Sequence, residues 1–222
     1  MIQAKYKDIR SILRPGDAFV FIGKDNFVSD AIEVYTGGLE AMLKRQKVPS
    51  HFATVFRGMV GGDLRVFLIE STTDAVAFDP AWPRTGVQIS LASERLSYQG
   101  AVHALTLDDM HRAEFDEDTF NKFCLAHQGD PYDKGDIAAM ALDPAGIFNR
   151  KDSYQSFICS QLGAAWEKSE GFLSATVNTK TVTPADQVQF KLWKEDYQLT
   201  GDPAELYKFN TVDPLSWKGH GI

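Results

Sequence analysis

The stretch Tyr154-Gln-Ser-Phe-Ile-Cys159-Ser-Gln-Leu-Gly-Ala-Ala-Trp166 governs the reading of the chain, because it places a cysteine at the first turn of a predicted helix. Leu162, Ala165 and Trp166 recur at helical spacing after Cys159, while Phe157 and Ile158 lead into a buried start. Lys168, Ser169, Glu170 and Gly171 read as the helix running out into a turn. A thiol at a helix N-terminus lies near unpaired backbone N–H groups and the positive end of the macrodipole, which favours its thiolate. That is how a nucleophile is made, although a lone cysteine also fits the plainer role of a small buried hydrophobe. The choice depends on whether an imidazole and a carboxylate accompany it.

With 44% hydrophobic and 12% aromatic residues, the 222-residue chain can bury a substantial core as one domain. The expected division is a core from about residue 13 to 190, an N-terminal arm over 1–12, and a C-terminal strand and tail over 191–222. The formal charge of −7 argues against a nucleic-acid or anionic-membrane surface, both of which need clustered lysine and arginine. The one basic cluster, Lys44-Arg45-Gln46-Lys47, is short and reads as a solvated loop or helix end. Two distant cysteines, and no charged-then-apolar leader before Arg14-Pro15-Gly16, predict a cytoplasmic, reducing setting, with leaderless export as the open alternative. No apolar run approaches the ~20 residues of a membrane span.

Along the chain, Ile2, Tyr6, Ile9, Ile12 and Leu13 suit a short amphipathic helix or arm, stopped by Pro15-Gly16. Asp17 to Ile22 reads as a buried strand, and Phe27, Ala31, Ile32 and Tyr35 as a helix ending at Gly37-Gly38. Ser50 to Phe56 is a strand with His51 at its start. Gly61-Gly62-Asp63 signals a hairpin, and Leu64 to Glu70 is the strongest β pattern, ending in a carboxylate. Val87–Leu91 and Ala101–Leu107 continue the sheet. An acidic run from Asp108 to Asp118 then precedes a helix with Phe120, Phe123, Cys124 and His127 on one face, ended by Gly129. That run reads as capping and solvation. Asp130 to Asp136 is a turn, and Ile137–Leu142 an apolar segment. Thr183-Pro184-Ala-Asp186 starts a short helix carrying Val188 and Phe190, and Leu206 to Asn210 is the expected closing strand.

A cysteine nucleophile needs a general base, commonly imidazole, whose other nitrogen is held by an acceptor that fixes tautomer and orientation. Of five histidines, His103 lies inside a strand pattern, His127 on a packed helix face with Cys124, and His111 and His220 in polar surroundings that predict exposure. His51 heads a strand after a loop. Antiparallel pairing through Gly61-Gly62 brings that head beside the end of the next strand, where Glu70 stands. The plainer readings are a strand-edge histidine and a solvated strand terminus. Cys124 with His127 reads mainly as core, and a zinc site from Cys159, His51 and Glu70 has no paired C-x-x-C spacing behind it. Neither metal nor cofactor is expected.

Pro15-Gly16-Asp17 before an apolar strand, Ser50-His51 opening a strand, Glu70 closing the next, Gly129-Asp-Pro-Tyr132-Asp133, and Ile158-Cys159-Ser160-Gln-Leu occur in this order. From about Leu13 to about Phe190 the chain thereby resembles the circularly permuted papain-like amidases of the NlpC superfamily, particularly the YiiX-like branch. The resemblance implies an α+β, papain-like fold in which an antiparallel sheet carrying the histidine packs on the helix that starts with the cysteine. It implies Cys159 as nucleophile, His51 as base and Glu70 as the residue orienting His51. Tyr154, Tyr132 and Ser50 are the candidate substrate-binding positions, with the Cys159 backbone N–H and Tyr154 as oxyanion donors. Hydrolysis of an amide or isopeptide bond in a peptide or peptidoglycan-like substrate is the implied activity. Acyl transfer or thioester hydrolysis on an acyl substrate, and a binding module without turnover, are the alternatives. The chain departs from many relatives in having Gln161 where they have Glu, and the stretches from Leu39 to Pro49 and from Leu142 to Asp152 read as insertions near the groove.

Overall fold

The structure, a computed structural model, describes residues 1–23, 48–74, 77–83, 85–96, 100–135, 155–200 and 211–213. Within them seven strands form one open sheet: β1 (Ile2–Ala4), β2 (Ala18–Ile22), β3 (Pro49–Val60), β4 (Asp63–Thr72), β5 (Gly86–Leu91), β6 (Ala101–Leu107) and β7 (Trp193–Leu199). Their spatial order is β1-β7-β6-β2-β3-β4-β5. The helices are α1 (Tyr6–Ile9), α2 (Ala92–Arg95), α3 (Asp109–Glu114), α4 (Glu117–His127), α5 (Cys159–Ser169) and α6 (Pro184–Gln189), with a 3-10 turn at Thr179–Thr181. The fold is mixed α/β.

The expectation of an antiparallel sheet needs one correction. Five of the six strand pairings are antiparallel, but β1 runs parallel to β7, with Ile2 opposite Tyr197 and Ala4 opposite Leu199, so the sheet is mixed. The amphipathic spacing near the N-terminus predicts a short helix or an arm packed on the body, and Tyr6, Ile9 and Leu13 do pack there. Residues 2–4 form a strand too short to show its alternation, and Tyr6–Ile9 are helical.

The β3–β4 hairpin turns on Gly61 and Gly62, with φ of 59° and 83°. Positive φ at both central residues makes a two-residue turn whose twist matches the flanking strands, and glycine adopts it without steric cost. Pairing then runs from Val60–Asp63 to Thr54–Ile69. Glu70 follows on β4, opposite Gln88 of β5. Turn chemistry thus fixes which residues stand beside the head of β3.

Alternate side chains fill two cores. On one face Phe67, Ile69 and Ile89 pack with Phe120 of α4 and Leu162 and Trp166 of α5. On the other, Phe19, Phe21, Val55 and Leu68 pack with Tyr6 and Ile9 of α1 and Ala92 of α2. Trp166 is fully buried, donates its indole N–H to Thr54 Oγ1 at 2.9 Å, and meets Phe120 edge-on at 5.3 Å. One turn after Cys159, a Cβ at Gly163 would lie 2.5 Å from Phe52 Cε1 and 2.8 Å from Gln187 Nε2. The missing side chain lets α5 lie directly on β3.

The acidic run caps helices as read from the sequence: Asp108 Oδ1 accepts the His111 amide N–H, and Asp116 Oδ1 accepts those of Asp118 and Thr119. His111, expected in solvent, is 8% exposed; it stacks edge-on against Phe172 and sets Nδ1 2.8 Å from Asp108. The capping geometry folds its ring inward. A strand unread in the sequence, β7, joins β6. Its Lys, Glu, Asp and Gln residues disguise a half-exposed strand beside the sheet edge. The expected helix around Phe27–Tyr35, the basic cluster at 44–47, the Ile137–Leu142 segment, the strand from Leu206 to Asn210, His220 and most of both insertions lie outside the described residues. Among the described residues no helix is long and apolar enough to cross a membrane.

Candidate active site

The start of α5 is held from three directions. Ile158 is its N-cap, and the Ile158 amide donates to Gln161 Oε1 at 3.1 Å, so the side chain three residues on caps the helix start from inside. Ser160 Oγ donates to the Val182 carbonyl at 2.7 Å, and Gln187 Nε2 donates to the Ser160 carbonyl at 3.0 Å. The incoming segment is pinned where Ser71 Oγ donates to the Phe157 carbonyl at 2.7 Å and Phe157 bridges Tyr132. Buried Lys180 ties these pieces together, its Nζ donating to Asp133 Oδ2 at 2.8 Å, the Ser156 carbonyl at 2.6 Å and Gln161 Oε1 at 3.3 Å. Little slack remains around Cys159.

The structure brings Cys159, His51 and Glu70 together. His51 Nε2 lies 2.5 Å from Glu70 Oε2, and its ring also packs on Phe21 at 5.4 Å. Since Nε2 is committed to Glu70, Nδ1 is the nitrogen left for the Cys159 thiol, whose interaction with the imidazole shifts the titration of both groups. Glu70 is fully buried and takes further hydrogen bonds from Ser90 Oγ at 3.1 Å and from Arg95 Nε and Nη2 at 2.6 and 2.9 Å.

The electrostatics follow from these contacts. Burial raises the Glu70 pKa, but Arg95 and His51 outweigh it and hold the carboxyl at about 2. Burial works against the charged imidazole of His51, yet Cys159 and Glu70 raise it to about 9. For Cys159 burial again opposes charge; attraction to His51 and hydrogen bonds from His51 and from the Phe52 and Ser160 amides bring the thiol below its ordinary value. Two opposite charges at one site stabilise each other, so the favoured state is a thiolate–imidazolium pair. The sulfur is well enclosed, with Cys159 1% exposed and the His51 side chain 15%.

Of the other candidate positions, Tyr132 is half-buried, and burial, followed by the charges of Cys159, Asp74 and Asp133, raises its phenol pKa. Its hydroxyl therefore stays protonated, near enough to Cys159 to feel its charge. Ser50 is buried with its hydroxyl donating to the Phe21 carbonyl at 3.4 Å, which places it in the β2–β3 ladder. Tyr154 lies outside the described residues. Cys124 is packed in the core, where burial raises its thiol pKa, and His127 sets Nδ1 2.7 Å from Asp130. His103 pairs with Asp196 at 2.7 Å. Both cysteines are free thiols. Among the described residues no group of three or more His, Cys, Asp or Glu side chains is arranged to hold a metal ion.

Sequence reasoning missed Arg95, Ser90 and Lys180. Each acts through tertiary contact alone, and a lone arginine after a strand carries no local pattern that marks it as buried. No protein-family model matches this chain, and no curated protein matches its sequence.

Proposed function

We propose that this chain is a cysteine hydrolase that cleaves an amide or isopeptide bond through Cys159, His51 and Glu70. One observation carries the reading: a buried, ionised carboxylate 2.5 Å from Nε2 of an imidazole that in turn lowers the pKa of a thiol at a helix start. The ordered motifs that resemble permuted NlpC-type amidases support the papain-like reading of the fold. They also point to peptide, peptidoglycan-like or acyl substrates.

In the proposed reaction Cys159 Sγ attacks the carbonyl carbon and the carbonyl oxygen takes up the negative charge. The Cys159 backbone N–H, at the first helical position, has no intrahelical acceptor and is free to meet that oxyanion. His51 passes its Nδ1 proton to the departing amine as the C–N bond breaks, leaving an acyl thioester on Cys159. Neutral His51 then takes a proton from water as the water oxygen attacks the thioester. Collapse expels the Cys159 thiolate and releases the carboxylic acid. Glu70 stays ionised throughout, accepting from Nε2–H and stabilising the imidazolium.

Labelling by iodoacetamide in a Cys124→Ser background, where Cys159 is the remaining thiol, tests this reading. Rapid labelling at pH 6 that falls at least tenfold in His51→Ala is expected. Labelling indifferent to His51 points instead to a papain-like binding module without turnover.

A further inference from the structure

Glu70 is the most enclosed member of the site, and the enclosure poses an electrostatic problem. An ion moved from water into a protein interior loses its hydration, and a buried carboxyl without compensation takes up a proton instead. A neutral Glu70 could not do its work. Imidazolium Nε2–H needs an acceptor, whereas a carboxylic acid turned toward Nε2 offers a donor, holding the ring in the neutral tautomer that cannot balance a thiolate.

Arg95 answers this. It stands at the end of α2, directly after β5, and its fork engages both carboxylate oxygens, Nε to Oε1 at 2.6 Å and Nη2 to Oε2 at 2.9 Å. A bidentate guanidinium fixes the plane of a carboxylate as well as its charge. Its Cζ lies 5.6 Å from the centre of the Phe21 ring, and that ring packs on His51 from its other contact, so one aromatic side chain braces both cations. Ser90 Oγ adds a bond to Oε1. Among the described residues the charged groups facing Glu70 are His51 from β3 and Arg95 from α2, with Cys159 of α5 beyond His51. Asp74, after β4, stands 3.6 Å from Arg95 Nη1 and is 39% exposed.

We propose that Arg95 is a positioning residue of the site, locking Glu70 as a permanent carboxylate aimed at His51 Nε2 and so setting the lowest pH at which Cys159 is a thiolate. The proposal rests on the cysteine-hydrolase reading above and extends the array to Cys159–His51–Glu70–Arg95. Arg95 touches no reacting atom; it acts through Glu70.

The test is the pH dependence of Cys159 alkylation by iodoacetamide from pH 3 to 9 in the Cys124→Ser protein, alone and with Arg95→Gln or Arg95→Lys, each checked for folding by near-UV circular dichroism. Arg95→Gln removes the charge, so the acid limb is expected to rise by one unit or more, about a tenfold slower rate at a fixed pH on that limb. Arg95→Lys keeps the charge without the fork, and a smaller rise is expected; this variant carries the test if the glutamine protein does not fold. A purely structural role lowers the melting temperature and leaves the limb in place. Folded variants whose profiles superimpose on the parent overturn the proposal while leaving the triad intact. A parent profile with no limb below the free-thiol range overturns the triad reading itself, and the role of Arg95 with it.

Discussion

Replacing Glu167 by glutamine should make the protein more stable at neutral pH, by an amount that depends on pH in a defined way. Glu167 lies on α5, fully buried, and neither of its carboxyl oxygens has an aligned hydrogen-bond partner. The Gln187 amide is close enough to favour the carboxylate slightly, but its Nε2 is aligned on the Ser160 carbonyl, so burial dominates and raises the pKa from 4.5 to about 8. A folded-state pKa above the unfolded one means the folded protein holds this proton more tightly. The stabilisation is complete below about pH 4.5 and is lost as pH rises through about 8. At pH 7 the loss corresponds to about 2.5 pH units, or about 3 kcal/mol at ~1.4 kcal/mol per unit. Glutamine has nearly the same shape and never ionises. Glu167→Gln should therefore match the parent near pH 4.5 and exceed it by about 3 kcal/mol at pH 7, about 6–12 °C in melting temperature for a chain of this size. Thermal or urea unfolding of both proteins at half-unit steps from pH 4.5 to 8 reads the difference, in which all other titrating groups cancel. A difference that stays flat across this range, or a variant less stable at pH 7, would refute a neutral buried Glu167.

Other outcomes follow from the same contacts. Gly163→Ala places a Cβ against Phe52 and Gln187, so we expect a loss of about 1–3 kcal/mol together with slower alkylation of Cys159, since α5 must back away from β3; unchanged melting and labelling would show that the helix has room. Lys180→Met removes the donor shared by Asp133, Ser156 and Gln161, and a loss of up to about 3 kcal/mol in urea unfolding is expected, moderated because the Asp133 side chain is 17% exposed. Glu70, depressed to about 2, contributes stability above pH 4.5 that fades as pH falls through 2, and His51, raised to about 9, contributes stability below pH 6.5 that fades as pH rises through 9. Glu70→Gln should shrink both limbs of the stability profile, and a profile identical to the parent's would contradict the His51–Glu70 coupling.

The sequence made the site more legible than the sheet around it. A glycine pair with a two-residue turn fixed the β3–β4 register, and continuing that register sets Glu70 one diagonal step from His51 on the same face, so local turn chemistry brought the two within side-chain reach. The helix beginning at Cys159 was readable because its apolar spacing and its flanking turn agree. By contrast, β1 is only three residues long at the sheet edge, and β7 beside it carries Lys194, Glu195 and Asp196, which hide the alternation. His111 looked solvated because its neighbours are polar, yet its cap turns the ring onto Phe172. Arg95 and Lys180 were invisible for a further reason. A buried cation is defined by the carboxylate that meets it, Glu70 or Asp133, and both lie tens of residues away in the chain.

The most direct measurement is the apparent pKa of Cys159, from iodoacetamide alkylation across pH in the Cys124→Ser protein with and without His51→Ala. An activated pair gives a value well below the free-cysteine value of about 8.5, returning to or above it when His51 is removed. A value at or above 8.5 in the parent, unchanged by His51→Ala, would mean a buried and inert thiol and would contradict the proposed hydrolase.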